Sequence, residues 1–529
     1  MLHNYGSVTA ADTPRRQHRA IHSSSRAQHA RQVLTCSQAD RSGSSRDPNA
    51  KADADTYPGS LTLDLSRRSF TFKYTSADVS DHNWIGIYYA YGGGPDHGHY
   101  VQDSLAWAWA PSRRGSVSVS TEKLRSGTYK AYLLSSGGYR LLAKPLVVNL
   151  GSPSDLALFT DSFTTHNARQ GEPFTANVGN LVNRAGDPNT RFSAPEAACW
   201  ASVDVDGIIT GCAPADARDT TLCIRVENSG AAVTLQVRIP VRQRGQPLVR
   251  TLRVLSFNIW VGGQPVRNHH EKQIRCLARA NLDVVALQES GGGHAIRLAR
   301  ALGWHSWQGP DVGVITRYPI AAVLGAPDRA GAVRIRLDGT GSDIVVWNCH
   351  LGYDPYGPYD FCFDHMSVDE VMKREAQSGR TPQMTAIIEA MKDSIAEADS
   401  VPLFLTGDFN APSHLDWIDA TKDRHCGTAC TEWPTSKLPT EAGLVDAYRA
   451  VHPDPVTKPG ITWSPIYLDN NGRKEPMDRI DFVYHKGRKL TVLDARALVL
   501  GKSTPQPDHE DNEWPSDHKA VLAVYTIET

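Results

Sequence analysis

No apolar stretch of this 529-residue chain approaches the roughly 20 residues that a helix needs to cross a membrane, so no spanning helix is expected. Net charge is also nearly absent: 56 Lys+Arg stand against 57 Asp+Glu, a formal balance of −1. From Arg250 to the end the count is 30 basic against 36 acidic residues. A global field that gathers nucleic acid or anionic lipid is therefore excluded, because such binding depends on neutralising phosphates with Lys and Arg. Cysteine is sparse, with nine in all. Their odd number leaves at least one unpaired within the chain, and Cys426 and Cys430 lack the second Cys or His pair that a zinc site needs. At least one disulfide is expected, drawn from loop-like Cys362, Cys426 and Cys430 or from Cys199, Cys212 and Cys223 in one β-rich stretch.

What is present divides into four parts. Residues 1–56 are rich in Ser, Arg, His and Ala and read as a disordered segment. They lack the apolar core of a secretory signal. The compartment therefore stays open, intracellular and soluble as written, extracellular if the start is mis-assigned. Residues 57–152 alternate short strand patterns (SLTLDL, FTFKY, WIGIYYA, TYKAYLL) with Gly, Pro, Asp and Ser, which predicts a β-sandwich. Trp84, Trp107 and Trp109 are expected in its packed core rather than on a carbohydrate platform. Residues 153–246 form a second β-domain of hairpins with DG and SG turns, and GEPF followed by SVDVDGIITGCAP resembles immunoglobulin/cadherin-like modules. RQRGQPLVR (242–250) reads as a charged linker. From residue 250 to 529 strands alternate with amphipathic helices such as EKQIRCLARA and HAIRLARAL, the mark of a layered α/β domain.

In that last part, short apolar runs end on polar residues: VLSFN (Asn258), VVALQE (Glu289), VVWNCH (His350), PLFLTGDFN (Asp408, Asn410), RIDFVY (Asp481) and PSDHKAVL (Asp517, His518). A carboxylate after five apolar residues must be paired or metal-bound, because an isolated buried charge is costly. Asp408 and Asn410 are two apart and point the same way, so a carboxylate and an amide can orient a water and grip a phosphoryl oxygen. His518 becomes a base if a carboxylate fixes its other nitrogen, with Asp481 the candidate and Asp478 the fallback. His350 can meet charge on a leaving oxygen. His414, Tyr353, Trp260 and the run Gly291–Gly293 are weaker candidates. Each residue alone has a plainer explanation as a turn cap, a solvated strand end or a core histidine.

The six motifs in this order resemble the endonuclease/exonuclease/phosphatase (DNase I-like) superfamily over residues 252–527. That group includes DNase I-like nucleases, exonuclease III-like enzymes, inositol-polyphosphate 5-phosphatases and neutral sphingomyelinases. The resemblance implies a four-layer α/β sandwich, two mixed β-sheets flanked by helices, here preceded by two β-sandwich domains. It implies Mg²⁺, with Mn²⁺ as an alternative, held by Asn258, Glu289 and Asp517. Asp408 and Asn410 would position water and phosphate, His518 supported by Asp481 would be the base, and His350 would assist. The expected protein is a monomeric phosphoester hydrolase whose substrate is a lipid, nucleotide, nucleic acid or small phosphate. The competing reading is an adhesive protein built on β-modules with a silent phosphoesterase-like domain.

Overall fold

The computed structural model describes residues 57–528, apart from 65–69, 97, 137 and 195–199. The disorder expected for residues 1–56 lies outside the described residues, as do Cys36 and Cys199.

Two six-stranded sheets organise the C-terminal half. The first runs, in spatial order, His305–Gln308, Gly313–Thr316, Val284–Gln288, Thr251–Asn258, Ala520–Ile527 and Leu490–Leu498. The second runs Ile320–Leu324, Ala330–Asp338, Ser342–His350, Leu403–Asp408, Asp481–Lys486 and Val445–Asp446. Each is mixed, with one parallel pair beside antiparallel neighbours: Thr251–Asn258 with Val284–Gln288, and Ser342–His350 with Leu403–Asp408.

Their inner faces share one core, in which Val254, Val284, Val521 and Ala523 meet Ile335, Val346, Phe404 and Val483. The outer face of the second sheet (Val345, Trp347, Leu403, Leu405) packs on Met384, Ile387 and Met391. The outer face of the first (Leu255, Phe257, Val285, Leu287) packs on Ile274, Leu277, Leu298 and Leu302. Strands buried on both faces read as continuous apolar runs, which is why PLFLT and VVALQ show no alternation. The helical segment after Pro382 is two pieces, Arg380–Ala390 and Lys392–Ala396.

Upstream, a three-stranded and a four-stranded sheet face each other across Phe70, Phe72, Ile85, Ile87, Ala131 and Leu133. The tryptophans are packed, as expected, but not between the two sheets. Trp84 joins Tyr88, Tyr132 and Leu134 in a separate cluster, with Trp107 and Trp109 packed against it. Both faces of that sheet carry large apolar side chains, so composition alone could not assign the inner one. Beyond it, residues from Leu156 to Ile239 contribute Phe163, Phe174, Ile224, Leu235 and Val237 to the same continuous core that holds Ile274 and Leu298. The stretch expected as a linker is packed: Val241–Arg242 pairs with Ala168–Arg169, and Val249 is buried in the inter-sheet core. Both guanidinium Nη atoms of Arg169 donate to Asp338, at the end of the strand Ala330–Asp338 in the second sheet.

Residues 352–378 are more helical than their turn-rich sequence suggests. Gly357–Cys362 and Val368–Gln377 are helices, the latter started by a capping box in which Ser367 Oγ accepts from Glu370 N and Glu370 accepts from Ser367 N. A disulfide joins Cys362, at a helix end rather than in a loop, to Cys426.

Candidate active site

Pairing register brings the strand ends to one edge. Asn258 lies opposite Gln288, His350 opposite Asp408, and Asp408 opposite Asp481. Asp517 and His518 enter from the segment that precedes Ala520–Ile527. The two sheets thus deliver all eight residues singled out above to one rim.

Asp408 is the focus. It is 1% exposed, and its Oδ2 accepts from Asn258 Nδ2 at 3.0 Å. The same oxygen stands 3.7 Å from Nε2 of both His350 and His518. Those gaps are too long for hydrogen bonds. Asp408 Oδ1 accepts from the backbone N–H of Asn410, whose side-chain amide donates to Leu351 O. Asn410 sits in the left-handed region at φ 51°, and so does Glu289 at φ 54°. Two non-glycine residues held in this sparsely populated region are local strain that the surrounding bonds sustain.

The imidazoles are each oriented by a carboxylate. His518 Nδ1 donates to Asp481 Oδ2 at 3.0 Å, and His350 Nδ1 to Asp311 Oδ2 at 2.6 Å. Burial opposes protonation of His518, but Asp481 and Asp408 outweigh it and hold the pKa well above the usual histidine value. Burial likewise opposes His350, where Asp311, then Asp408 and Glu289, push the value up to about 9. Asp478 is not the orienting carboxylate. It accepts from Trp417 Nε1 and Tyr356 Oη, and burial pushes its pKa up to about 7.

The donor set fits a divalent cation. Glu289 Oε1 accepts from Asn258 and Oε2 from Val261 N, leaving outward lone pairs on both oxygens. Asp517 is buried, and its Oδ1 has no hydrogen-bond partner in the protein. Burial raises its pKa, with His518 opposing and Glu289 adding to the rise. A cation beside Asp517 and Glu289 would reverse that shift. The Asn258 side chain is engaged otherwise: its Oδ1 accepts from Trp260 N while its amide reaches Glu289 and Asp408. A second group, Asp408, Asp481 and His518, has ligand atoms within 4.8 Å of one another. There Asp481 Oδ2 and His518 Nδ1 are bonded to each other, as in an acid–base pair, while Asp481 Oδ1 has no hydrogen-bond partner in the protein.

Sequence reading missed Asp311 and Trp463. Trp463 lies 5.0 Å, centroid to centroid, from His518 and stacks on Tyr467, while Glu475 accepts its indole N–H. Neither follows an apolar run. Of the weaker candidates, Trp260 fixes Asn258, His414 is tied to Ser436 Oγ, and Tyr353 is exposed.

A family model described as Endonuclease/Exonuclease/phosphatase family matches residues 255–518. An uncharacterized protein of Caenorhabditis elegans is 37% identical over a 296-residue alignment that covers 52% of this chain and 91% of that relative. The chain belongs to the endonuclease/exonuclease/phosphatase family. Among solved structures, a member of this family from Bacteroides thetaiotaomicron is 16% identical, covers 54% of this chain and 100% of its own, and has a TM-score of 0.34. The human Nocturnin catalytic domain with bound sulfate (17%, covering 54% and 97%) has a TM-score of 0.33. Truncated TDP2 of C. elegans (16%, covering 52% and 98%) has one of 0.34.

Proposed function

We propose that the chain is a divalent-metal-dependent hydrolase of phosphate esters, and within that class a phosphodiesterase. The observation that carries this is Asp408 Oδ2, held by Asn258 and flanked at equal 3.7 Å distances by two carboxylate-oriented imidazoles. An oxygen placed to one side of that gap would reach both groups with hydrogen bonds of ordinary length. Glu289 and Asp517 would hold the ion, Mg²⁺ or in its place Mn²⁺, with Asn258 positioning Glu289. When bound, the ion supplies positive charge to the substrate's phosphate.

The chain's own residues do the rest. Asp408 and His518 face the same oxygen site: Asp408 takes the proton of the attacking water, and His518, held protonated by Asp481 and Asp408, donates a hydrogen bond there. Asp481 fixes the His518 ring. Asn410 and His350 meet the negative charge that develops on the phosphoryl oxygens. A silent adhesive protein would have no reason to keep this set complete and mutually bonded.

The approach to His518 is aromatic. Trp463 and Tyr467, both half-buried, stack at 5.3 Å between ring centroids, and buried Trp260 stands 6.3 Å beyond Tyr467. The basic cluster Lys486–Lys489 lies at the far end of Asp481–Lys486 from Asp481, about 16–17 Å away for five strand steps. We therefore favour a diester carrying an apolar or planar group over an inositol polyphosphate. Bis-p-nitrophenyl phosphate, sphingomyelin, plasmid DNA and inositol phosphates, each with Mg²⁺ or EDTA, form the test. Cleavage of the first two only with Mg²⁺ is expected. No cleavage of any ester, or equal rates in EDTA, would sink the reading.

His350 gives a pH prediction. Its proton is present below about 9 and is lost as pH rises through that value, so activity that uses imidazolium falls there. Asp311→Asn removes the hydrogen-bonded anion, and the alkaline limb of kcat/KM should move down by roughly 1–3 pH units. A limb that does not move would show that His350 protonation is not used. A cation bound at Glu289 cancels part of the same stabilisation and shifts both curves alike.

A further inference from the structure

Three glycines in a row, Gly291–Gly293, follow Glu289 after one residue, Ser290, and no phosphate-binding role explains them. The structure supplies another reason. Asp103 N, in the N-terminal sandwich, donates to Gly292 O at 2.9 Å. A Cβ on Gly292 would stand 2.4 Å from Asp103 Oδ2, and one on Gly293 would stand 2.3 Å from Gln102 Cβ. Only glycine lets residues 102–103 lie on this loop.

A second contact reaches the other side of Glu289. Arg297, buried in the helix His294–Leu302, donates to His294 Nδ1, His270 Nδ1, Gln273 Oε1 and Gly262 O. A guanidinium only donates, so His270 Nδ1 must accept. His270 Nε2 therefore carries the ring proton and donates it to Tyr91 Oη, 2.5 Å away in the N-terminal sandwich. Gly262 in turn donates its N–H to Glu289 O at 2.9 Å, and its neighbour Val261 donates to Glu289 Oε2 at 2.6 Å. A continuous hydrogen-bonded path thus runs from Tyr91 through His270, Arg297 and Gly262 to the backbone carbonyl of Glu289, and Val261, next to Gly262, bonds the carboxylate.

From these two contacts we infer that the N-terminal β-sandwich sets the position of Glu289, with Tyr91 as a positioning residue for the metal site. The sandwich is then a working part of the enzyme rather than a spacer. The inference rests on Glu289 being a metal ligand, as proposed above.

Calorimetric titration of the full chain with Mn²⁺ separates the two. Wild type should bind; absence of binding would sink the metal reading and this inference with it. Tyr91→Phe, which strips the acceptor from His270, should weaken Mn²⁺ by roughly 2- to 30-fold, the span for a residue coupled to a site through intervening contacts. Tyr89→Phe is the control, because Tyr89 stacks on the same His270 ring without a hydroxyl contact to it. It should bind as wild type does. If Tyr91→Phe binds Mn²⁺ like wild type, or if both variants weaken it equally, the inference is overturned. Where Tyr91→Phe does not fold, Gln102→Ala, from the loop on Gly293, replaces it, with the same weakening expected and wild-type affinity again overturning the idea.

Discussion

Replacing His518 with asparagine is expected to lower kcat by about 10²–10⁴, the usual contribution of a positioned acid–base group. The melting temperature should stay within a few degrees of wild type. The choice of asparagine follows from the geometry. Nδ1 of His518 donates to Asp481 Oδ2, whereas Nε2 faces Asp408 without a bond. An asparagine amide can take over the first contact and has nothing to offer at the second. Alanine would confound the experiment. It would leave the Asp481 carboxylate, 0% exposed, without the hydrogen bond that asparagine keeps. Leaving a buried acceptor unsatisfied costs about 1–3 kcal/mol, and more for a charged one. Activity lost through His518→Ala would then mix chemistry with unfolding. Steady-state kinetics and thermal melts of both variants separate the two effects. A His518→Asn enzyme with near wild-type kcat would mean that Nε2 takes no part in turnover.

The parts of this site visible in the sequence are those that end a buried strand. Apolar runs stopping at Asn258, Glu289, His350 and Asp408 announce themselves, and parallel pairing then places their ends on one rim. Asp481 opens the antiparallel neighbour of Asp408 and is legible for the same reason. Asp311 lies between two short strands in QGPDVG, with no run leading to it. Trp463 sits in irregular sequence, and its anchor Glu475 is 12 residues further on. The least legible feature is the second face of the two helices outside the first sheet. Ile274, Leu277, Leu298 and Leu302 give the apolar period that marks one face. The other carries His270, Gln273 and Arg297, buried as deeply but polar. Periodicity of apolar residues cannot report a face buried through hydrogen bonds. For that reason residues 242–250 looked like a tether between independent units.

That hidden face leads to the prediction with the largest effect on stability. A chain starting at residue 250 should fail to fold cooperatively, although the family match begins only at residue 255. Phe159, Leu181 and Val182 share one core with Ile274 and Leu298, and removing the upstream residues uncovers the helical layer. Even three large side chains exposed, at about 1.5–3 kcal/mol each, are comparable with the roughly 5–15 kcal/mol that holds a domain together. Specific polar contacts are lost as well. His270 loses Tyr91, Arg300 O loses the amide of Asn180, and Asp338 loses the bidentate Arg169. Arg297 suffers most. It is 4% exposed, its acceptors are all uncharged, and it is shielded from water by Tyr89, Tyr91 and Phe159 stacked around His270. Without that cover water enters beside the path to Glu289. The expected outcome is a broad, non-cooperative melt with exposed apolar surface that binds a hydrophobic dye. A sharp transition within a few degrees of the full chain would show instead that residues 250–529 stand alone and that the upstream modules are merely attached.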